Sequence, residues 1–343
     1  MMKSPAFRFT GAQTANRLVA GIPAAARLAQ AFAQARPGEG LVLAIGGLDG
    51  SKAGLTALTR AEIARLAPGL VVTLVDSAPA GAIPGESLPD LATLAAFPTG
   101  DASSQPALAD PDAALSQAAK RIVRATAKPS DGMVARWINR PLSQAVSAQL
   151  LRLGWVRPGH ATVLTALAAA AMLACLIAFP SPEGLMLGAV LFQIASVIDG
   201  VDGEIARAAQ RSSKAGASLD SLVDAVTNCA FLAGAGASFG AQGDNAAAII
   251  CAAALAVQIV GLTILGRSAW RREGVVHFDS AKAAIASAPR GAGRVIKDLT
   301  SRDFYCFAFM LASLAGVLAE AVTVFAAGSA VWLAFVIRTA LRG

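Results

Sequence analysis

Few side chains in this sequence can support acid–base or redox chemistry. There are two histidines, one tyrosine and four cysteines in 343 residues. Cys175, Cys229, Cys251 and Cys306 all lie in apolar runs, and no CxxC pair exists. This excludes a disulfide framework and a thiolate metal site, and the cysteines read as small buried hydrophobes. No Ser/His/Asp or Cys/His set is available, and His160 reads as an interfacial residue. Charge is scarce as well, at 15% of residues against 55% hydrophobic. The mean hydropathy of +0.57 is too high for a soluble chain and directs attention to membrane segments. Acidic residues are fewer than basic ones, leaving a net charge of +7. The basic residues flank apolar segments and are not interleaved with aromatics, so they point to membrane topology and away from nucleic acid.

The apolar residues are concentrated after Ala161. Before about Ala125 the chain is mixed, with frequent Pro, Gly and Asp. Lys3 and Arg8 lead into no apolar core before Gly40, so the start does not read as a secretory signal. Residues 12–35 carry Arg and no acid, a pattern faintly like a transit peptide, and they predict an amphipathic helix leading into a strand at 41–45. A helix at 59–66 and a second strand at 69–75 follow, and strand–helix–strand implies a small α/β domain. Residues 77–112 read as loops and 112–127 as a helix. The expected division is a soluble cytoplasmic α/β domain over 1–127, a linker and surface helix over 128–160, and a transmembrane domain over 161–343.

The segment 136–153 is amphipathic. Trp137, Ile138, Leu142, Val146, Leu150 and Leu153 recur at helical spacing, with Arg136, Arg140 and Arg152 as cations. Such a helix suits the membrane surface. Six candidate spans follow, at about 161–179, 184–201, 217–238, 246–266, 304–320 and 321–341, each near the ~20 residues that cross a bilayer. The fold class expected is therefore mainly α, a six-helix transmembrane bundle with an amphipathic juxtamembrane helix. Segments 180–183 and 239–245 contain no Lys or Arg, whereas 207–214, 267–302 and the C-terminus are basic. The positive-inside rule then places both termini on the cytoplasmic side.

The chemistry lies between the second and third spans. Asp199 and Asp202 are three residues apart, and Asp220 and Asp224 are four apart, so each pair shares a helix face. Two adjacent antiparallel spans would gather four carboxylates at one depth. Left alone, such a cluster repels itself and is costly to desolvate. Divalent cations remove the conflict, and all-oxygen ligation suits Mg²⁺, Mn²⁺ or Ca²⁺. Two such ions fit phosphoryl chemistry. Gly203 and Gly216 permit close approach to the backbone, and Arg207, one turn beyond Gly203, can bind phosphate. The spacing is not that of an EF-hand.

The pattern Asp199-x2-Asp202-Gly203-x2-Ala206-Arg207-x8-Gly216-x3-Asp220-x3-Asp224 resembles the signature of the CDP-alcohol phosphatidyltransferase family at every fixed position. The resemblance covers roughly 128–343. It implies an integral membrane, metal-dependent enzyme whose cofactors are Mg²⁺ or Mn²⁺, as two ions. The enzyme would move a phosphoalcohol from a CDP-alcohol donor to a hydroxyl acceptor and release CMP. By resemblance, Asp199, Asp202, Asp220 and Asp224 ligate metal and Asp224 is also the general base. Asp199, Gly203, Ala206, Arg207 and Gly216 belong to the CDP site, and the protein is a homodimer. The stretch Lys128-Pro-Ser-Asp-Gly-Met-Val-Ala-Arg136-x2-Asn139-Arg140, with Asp-Gly-Glu-Ile-Ala-Arg later, looks like the di-myo-inositol-phosphate-phosphate synthase branch. There the acceptor is phosphorylated, and Lys214 and Arg140 are candidate acceptor-binding residues. Lys214 reads equally as an ordinary cytoplasmic-side lysine.

Three features depart from these patterns. Ala225 stands where that branch usually has Arg, and Gly159 replaces Asn in the P-N-x-x-T that often opens the first span. The N-terminal part lacks the G-x-G-x-R type loop of a cytidylyltransferase, which makes it a degenerate domain of that kind. Gly46-Gly-Leu-Asp-Gly-Ser-Lys52 is not a Walker A loop and reads as a turn more than a nucleotide site. Two competing readings remain. One is a non-enzymatic cation transporter or scaffold using the same acids, and the other treats the N-terminal domain as a regulatory or docking module.

Overall fold

The structure is a computed structural model that describes residues 5–46, 54–96, 106, 108–273 and 301–340. Residues 47–53, which hold most of the Gly46–Lys52 segment, and most of the basic connection 267–302 lie outside the described residues. The chain forms two compact units, Met1–Thr126 with Ala148–Val156, and Ala127–Ser147 with Arg157–Gly343.

The first unit is built on a four-stranded parallel sheet of order β5-β4-β1-β6, from β1 (Ala6–Phe9), β4 (Leu41–Ile45), β5 (Val72–Val75) and β6 (Ile83–Pro84). β1 pairs in parallel with both β4 and β6, with Phe7 opposite Leu43 on one side and Ile83 on the other. Phe7, Phe9, Leu41 and Leu43 are buried because helices cover this sheet. The expected helix over 12–35 is in fact three pieces: α1 (Ala12–Asn16), a hairpin of β2 (Leu18–Val19) with β3 (Ile22–Pro23), and α2 (Ala24–Ala35). Ala20 and Gly21, at φ 47° and 84°, turn the hairpin, and Arg27 ties it down by donating to the Val19 and Ala20 carbonyls. α3 (Ala57–Leu66) and α5 (Pro111–Arg124) fall near their expected places. The stretch 77–112, expected as loops, also contains β6 and the short α4 (Leu91–Ala96).

In the second unit a π-helical turn (Ala135–Asn139) runs into α6 (Arg140–Leu150). Its burial is inverted relative to a soluble helix. Asn139, Ser143 and Ser147 are buried at i, i+4 and i+8, while Trp137, Leu142 and Val146 are exposed. An apolar outer face over a polar inner one fits a helix whose outer side meets lipid.

The long helices are α7 (Pro158–Ala178), α8 (Pro182–Ala208), α9 (Lys214–Ala241), α10 (Asn245–Glu273) and α12 (Leu318–Ala340). Among the described residues these five are long and apolar enough to cross a membrane. The fifth expected span, 304–320, is instead α11 (Arg302–Leu314), of 13 residues. At ~1.5 Å per residue it rises only about 20 Å. Gly316, at φ 74°, ends it and turns the chain into α12. Among the described residues, five of the six expected spans are long helices and the other is short.

Small residues let these helices approach closely. A Cβ at Gly188 would lie 2.3 Å from Leu176. Phe192, Phe231 and Phe309 stack in turn, with centroids 4.4 and 5.3 Å apart, and fix α8, α9 and α11 together.

Candidate active site

The α8–α9 hairpin gathers the signature. α8 ends in a Schellman-type turn: Gln210 sits at φ 51° and the Arg211 amide donates to the Ala206 carbonyl at 2.7 Å. Ser213 then caps α9 by accepting from the Gly216 amide at 3.0 Å. A five-residue link (209–213) therefore returns the chain antiparallel to itself, with Lys214 exposed in the first turn of α9. At 27 residues α8 is about 40 Å long, more than the ~30 Å hydrocarbon core, so a motif in its last ten residues lies toward one membrane face.

The four aspartates come together. Asp199 is within Coulombic reach of Asp220 and Asp224, and so is Asp202. The Thr162 hydroxyl on α7 donates to Asp202 Oδ2 at 2.7 Å. Asp220 Oδ1 is buried and has no hydrogen-bond partner. Arg302 of α11 reaches into the cluster. Its Nη1 lies 3.2 Å from Asp199 Oδ2 and pairs with Asp224 Oδ1. Among the described residues no three acidic, His or Cys side chains already converge on a single point.

Gly203 has a geometric reason. Arg207 folds back over it, and a Cβ there would stand 2.9 Å from Arg207 Nη1. Only a residue without a side chain leaves the guanidinium lying along the helix at that place. Ala206, half-buried between them, keeps the same face shallow.

Arg140, a candidate for acceptor binding, has other partners. Its Nε donates to Asp131 Oδ2 at 2.8 Å and its Nη1 to Glu204 Oε1 at 2.9 Å. Burial alone would lower its pKa, but these two carboxylates raise it above the ordinary arginine value. Burial likewise works against ionised Asp131, and the hydrogen bond and charge of Arg140 overcome it, holding that carboxyl below the usual range. Glu204 is fully buried and also accepts from Ser143 and Ser147, each at 2.6 Å. This network fastens α6 to the C-terminal end of α8, beside Gly203.

Thr162, Glu204, Ser143, Ser147, Asn228 and Arg302 were not assigned to the site from sequence. The signal for Glu204 was present, since an acid inside a spanning segment is costly and needs a partner. Arg302 showed only as a cation opening an apolar run.

Residues 158–340 match the model of the CDP-alcohol phosphatidyltransferase family, and the chain belongs to that family. With five helices able to cross a bilayer, it is an integral membrane protein. Curated relatives match over a shorter stretch. A protein of Aquifex aeolicus (strain VF5) described as a bifunctional IPC transferase and DIPP synthase is 40% identical over 119 residues, 34% of this chain and 26% of that protein. Its counterpart in Thermococcus kodakarensis is 38% identical over 120 residues, 35% of this chain and 26% of that one. The chain thus spans about a quarter of the length of the curated relatives it matches.

Proposed function

We propose that this protein transfers a phosphoalcohol from a CDP-alcohol to a hydroxyl acceptor and releases CMP. The observation that carries this reading is the gathering of all four signature carboxylates by the α8–α9 hairpin, with Asp220 Oδ1 buried and unpartnered. An orphaned carboxylate oxygen in an all-oxygen set fits a hard divalent cation. Asp199, Asp202, Asp220 and Asp224 would hold Mg²⁺ or Mn²⁺, as two ions. Bound there, such ions neutralise a diphosphate and stabilise the attacking and leaving oxygens.

The chain's own groups do the rest. Gly203 and Ala206 offer a shallow helix face for the cytidine diphosphate, and Arg207 contributes charge to it. Gly216 has its amide engaged by Ser213 and contributes the absence of a side chain. Asp224 takes the proton of the acceptor hydroxyl as that oxygen attacks the phosphorus of the alcohol phosphate. The new P–O bond forms, the bond to the CMP oxygen breaks, and CMP departs. Lys214 is assigned to a phosphorylated acceptor. Arg140, engaged by two carboxylates, is assigned to positioning α6 instead.

Both termini and the site lie on the cytoplasmic side by the charge distribution of the loops. The protein acts as a homodimer in phospholipid or inositol-phosphate-type lipid synthesis, with a degenerate cytidylyltransferase-like N-terminal part. The test incubates purified protein with Mg²⁺, a panel of CDP-alcohols and hydroxyl acceptors, and identifies products by mass. CMP release that is lost in Asp224→Asn is the expected result. Cation uptake into vesicles with no CMP from any donor would favour the transporter reading.

A further inference from the structure

The Arg302 guanidinium bridges the two halves of the signature, because Asp199 belongs to α8 and Asp224 to α9. A cation shared between the two carboxylates has the location expected of a bridging metal ion. Its placement is specific. Arg302 Nε donates to Asn228 Oδ1 at 3.2 Å, and Asn228 Nδ2 donates to the Tyr305 hydroxyl at 2.6 Å. Asn228 lies one turn beyond Asp224 on α9, and Tyr305 lies one turn beyond Arg302 on α11. The guanidinium is therefore held by two helices at once. Its side chain is 12% exposed.

Four carboxylates at one depth need positive charge whether or not a metal ion is present. Lys128 is within Coulombic reach of Asp220, and Arg207 of Asp202. Arg302 stands at ion-pair distance from two signature aspartates, one on each helix of the hairpin.

We propose that Arg302 is a built-in counter-cation that bridges Asp199 and Asp224 in the metal-free protein and gives way when a divalent ion binds. This rests on the divalent-cation reading above. It carries two consequences. The metal-free bundle keeps its fold, because the cluster is never without a cation. Metal affinity is reduced by the work of displacing the guanidinium, as for any ligand whose competent state is not the resting one.

The test compares full-length wild type, Arg302→Gln, Arg302→Lys and the double variant Asp224→Asn/Arg302→Gln. Thermal unfolding is followed in EDTA and in Mg²⁺, and Mn²⁺ binding by electron paramagnetic resonance. Wild type and Arg302→Lys are expected to unfold at nearly the same temperature in both buffers. Arg302→Gln should lose roughly 5 °C or more in EDTA and regain it in Mg²⁺, and should bind Mn²⁺ about tenfold more tightly than wild type. Mn²⁺ affinity that is unchanged or weaker in Arg302→Gln overturns the proposal while leaving the metal site standing. No Mn²⁺ binding by any form overturns the metal reading itself. If Arg302→Gln does not accumulate even with Mg²⁺ throughout, the double variant decides. Recovery there supports the counter-charge role, and failure to recover overturns it.

Discussion

Glu204 is a residue on which three juxtamembrane side chains converge. Its carboxylate takes one guanidinium and two hydroxyls while fully buried. Glu204→Ala removes one partner of a buried pair and leaves the Arg140 charge uncompensated on that side. We expect a loss of about 3–5 kcal/mol, read as a fall in unfolding temperature of the purified protein. At Gly203, substitution by Ala drives a methyl against the Arg207 guanidinium. The expected result is a KM for the CDP-alcohol raised about tenfold, equivalent to ~1.4 kcal/mol, with kcat less affected. Asp131 supplies a pH dependence. Its folded-state pKa is depressed by Arg140, so its contribution is present above the unfolded value of about 3.9 and is lost as pH falls through the folded value. Wild type should therefore lose stability below about pH 4, and Asp131→Asn should flatten that part of the profile.

Among the elements, the α8–α9 hairpin depends on a non-glycine residue in the left-handed region. Gln210→Val places a β-branched side chain at φ 51° and should lower stability by about 1 kcal/mol or more, whereas Gln210→Gly should be tolerated. Thermal unfolding of the two variants checks this. The hairpin was legible in the sequence because its evidence is local: apolar runs of spanning length, and acids at three- and four-residue spacing. What was not legible came from distant partners. Nothing near Arg302 in the chain announces Asp199 and Asp224, about a hundred and about eighty residues earlier. The hairpin at 18–23 interrupted an apparently helical pattern because Gly21 and Pro23 outweighed the periodicity around them. The two-residue β6 offers too little apolar sequence to separate from its Pro- and Gly-rich surroundings. The helix at the fifth expected span is short for a countable reason: the apolar run continues through Gly316, but the helix does not.

For the molecule as a whole, the outward Trp137, Leu142 and Val146 predict that this helix rests at the bilayer surface. A variant retaining Trp137 as its sole tryptophan should be quenched by brominated lipid in vesicles. Sidedness has a direct check too. A cysteine at Ser181, between α7 and α8, should react with an impermeant maleimide from outside intact cells. One at Gln210, in the α8–α9 turn, should react only after the membrane is opened. The four native cysteines lie in the long helices and α11, which keeps the background low.

The inverted α6 also sets an order of assembly. Ser143 and Ser147 are synthesised 61 and 57 residues before the carboxylate that they hold. At roughly 5–20 residues per second, a nascent chain waits several seconds for Glu204. During that interval the helix has an apolar side suited to lipid and a polar side suited to water. It can rest at the membrane surface beside the ribosome without exposing an unsatisfied face. When α8 emerges, its last turns meet a waiting row of hydroxyls and a guanidinium. The latch that later steadies the site would thus first serve as a landing mark for the helix carrying half of the signature.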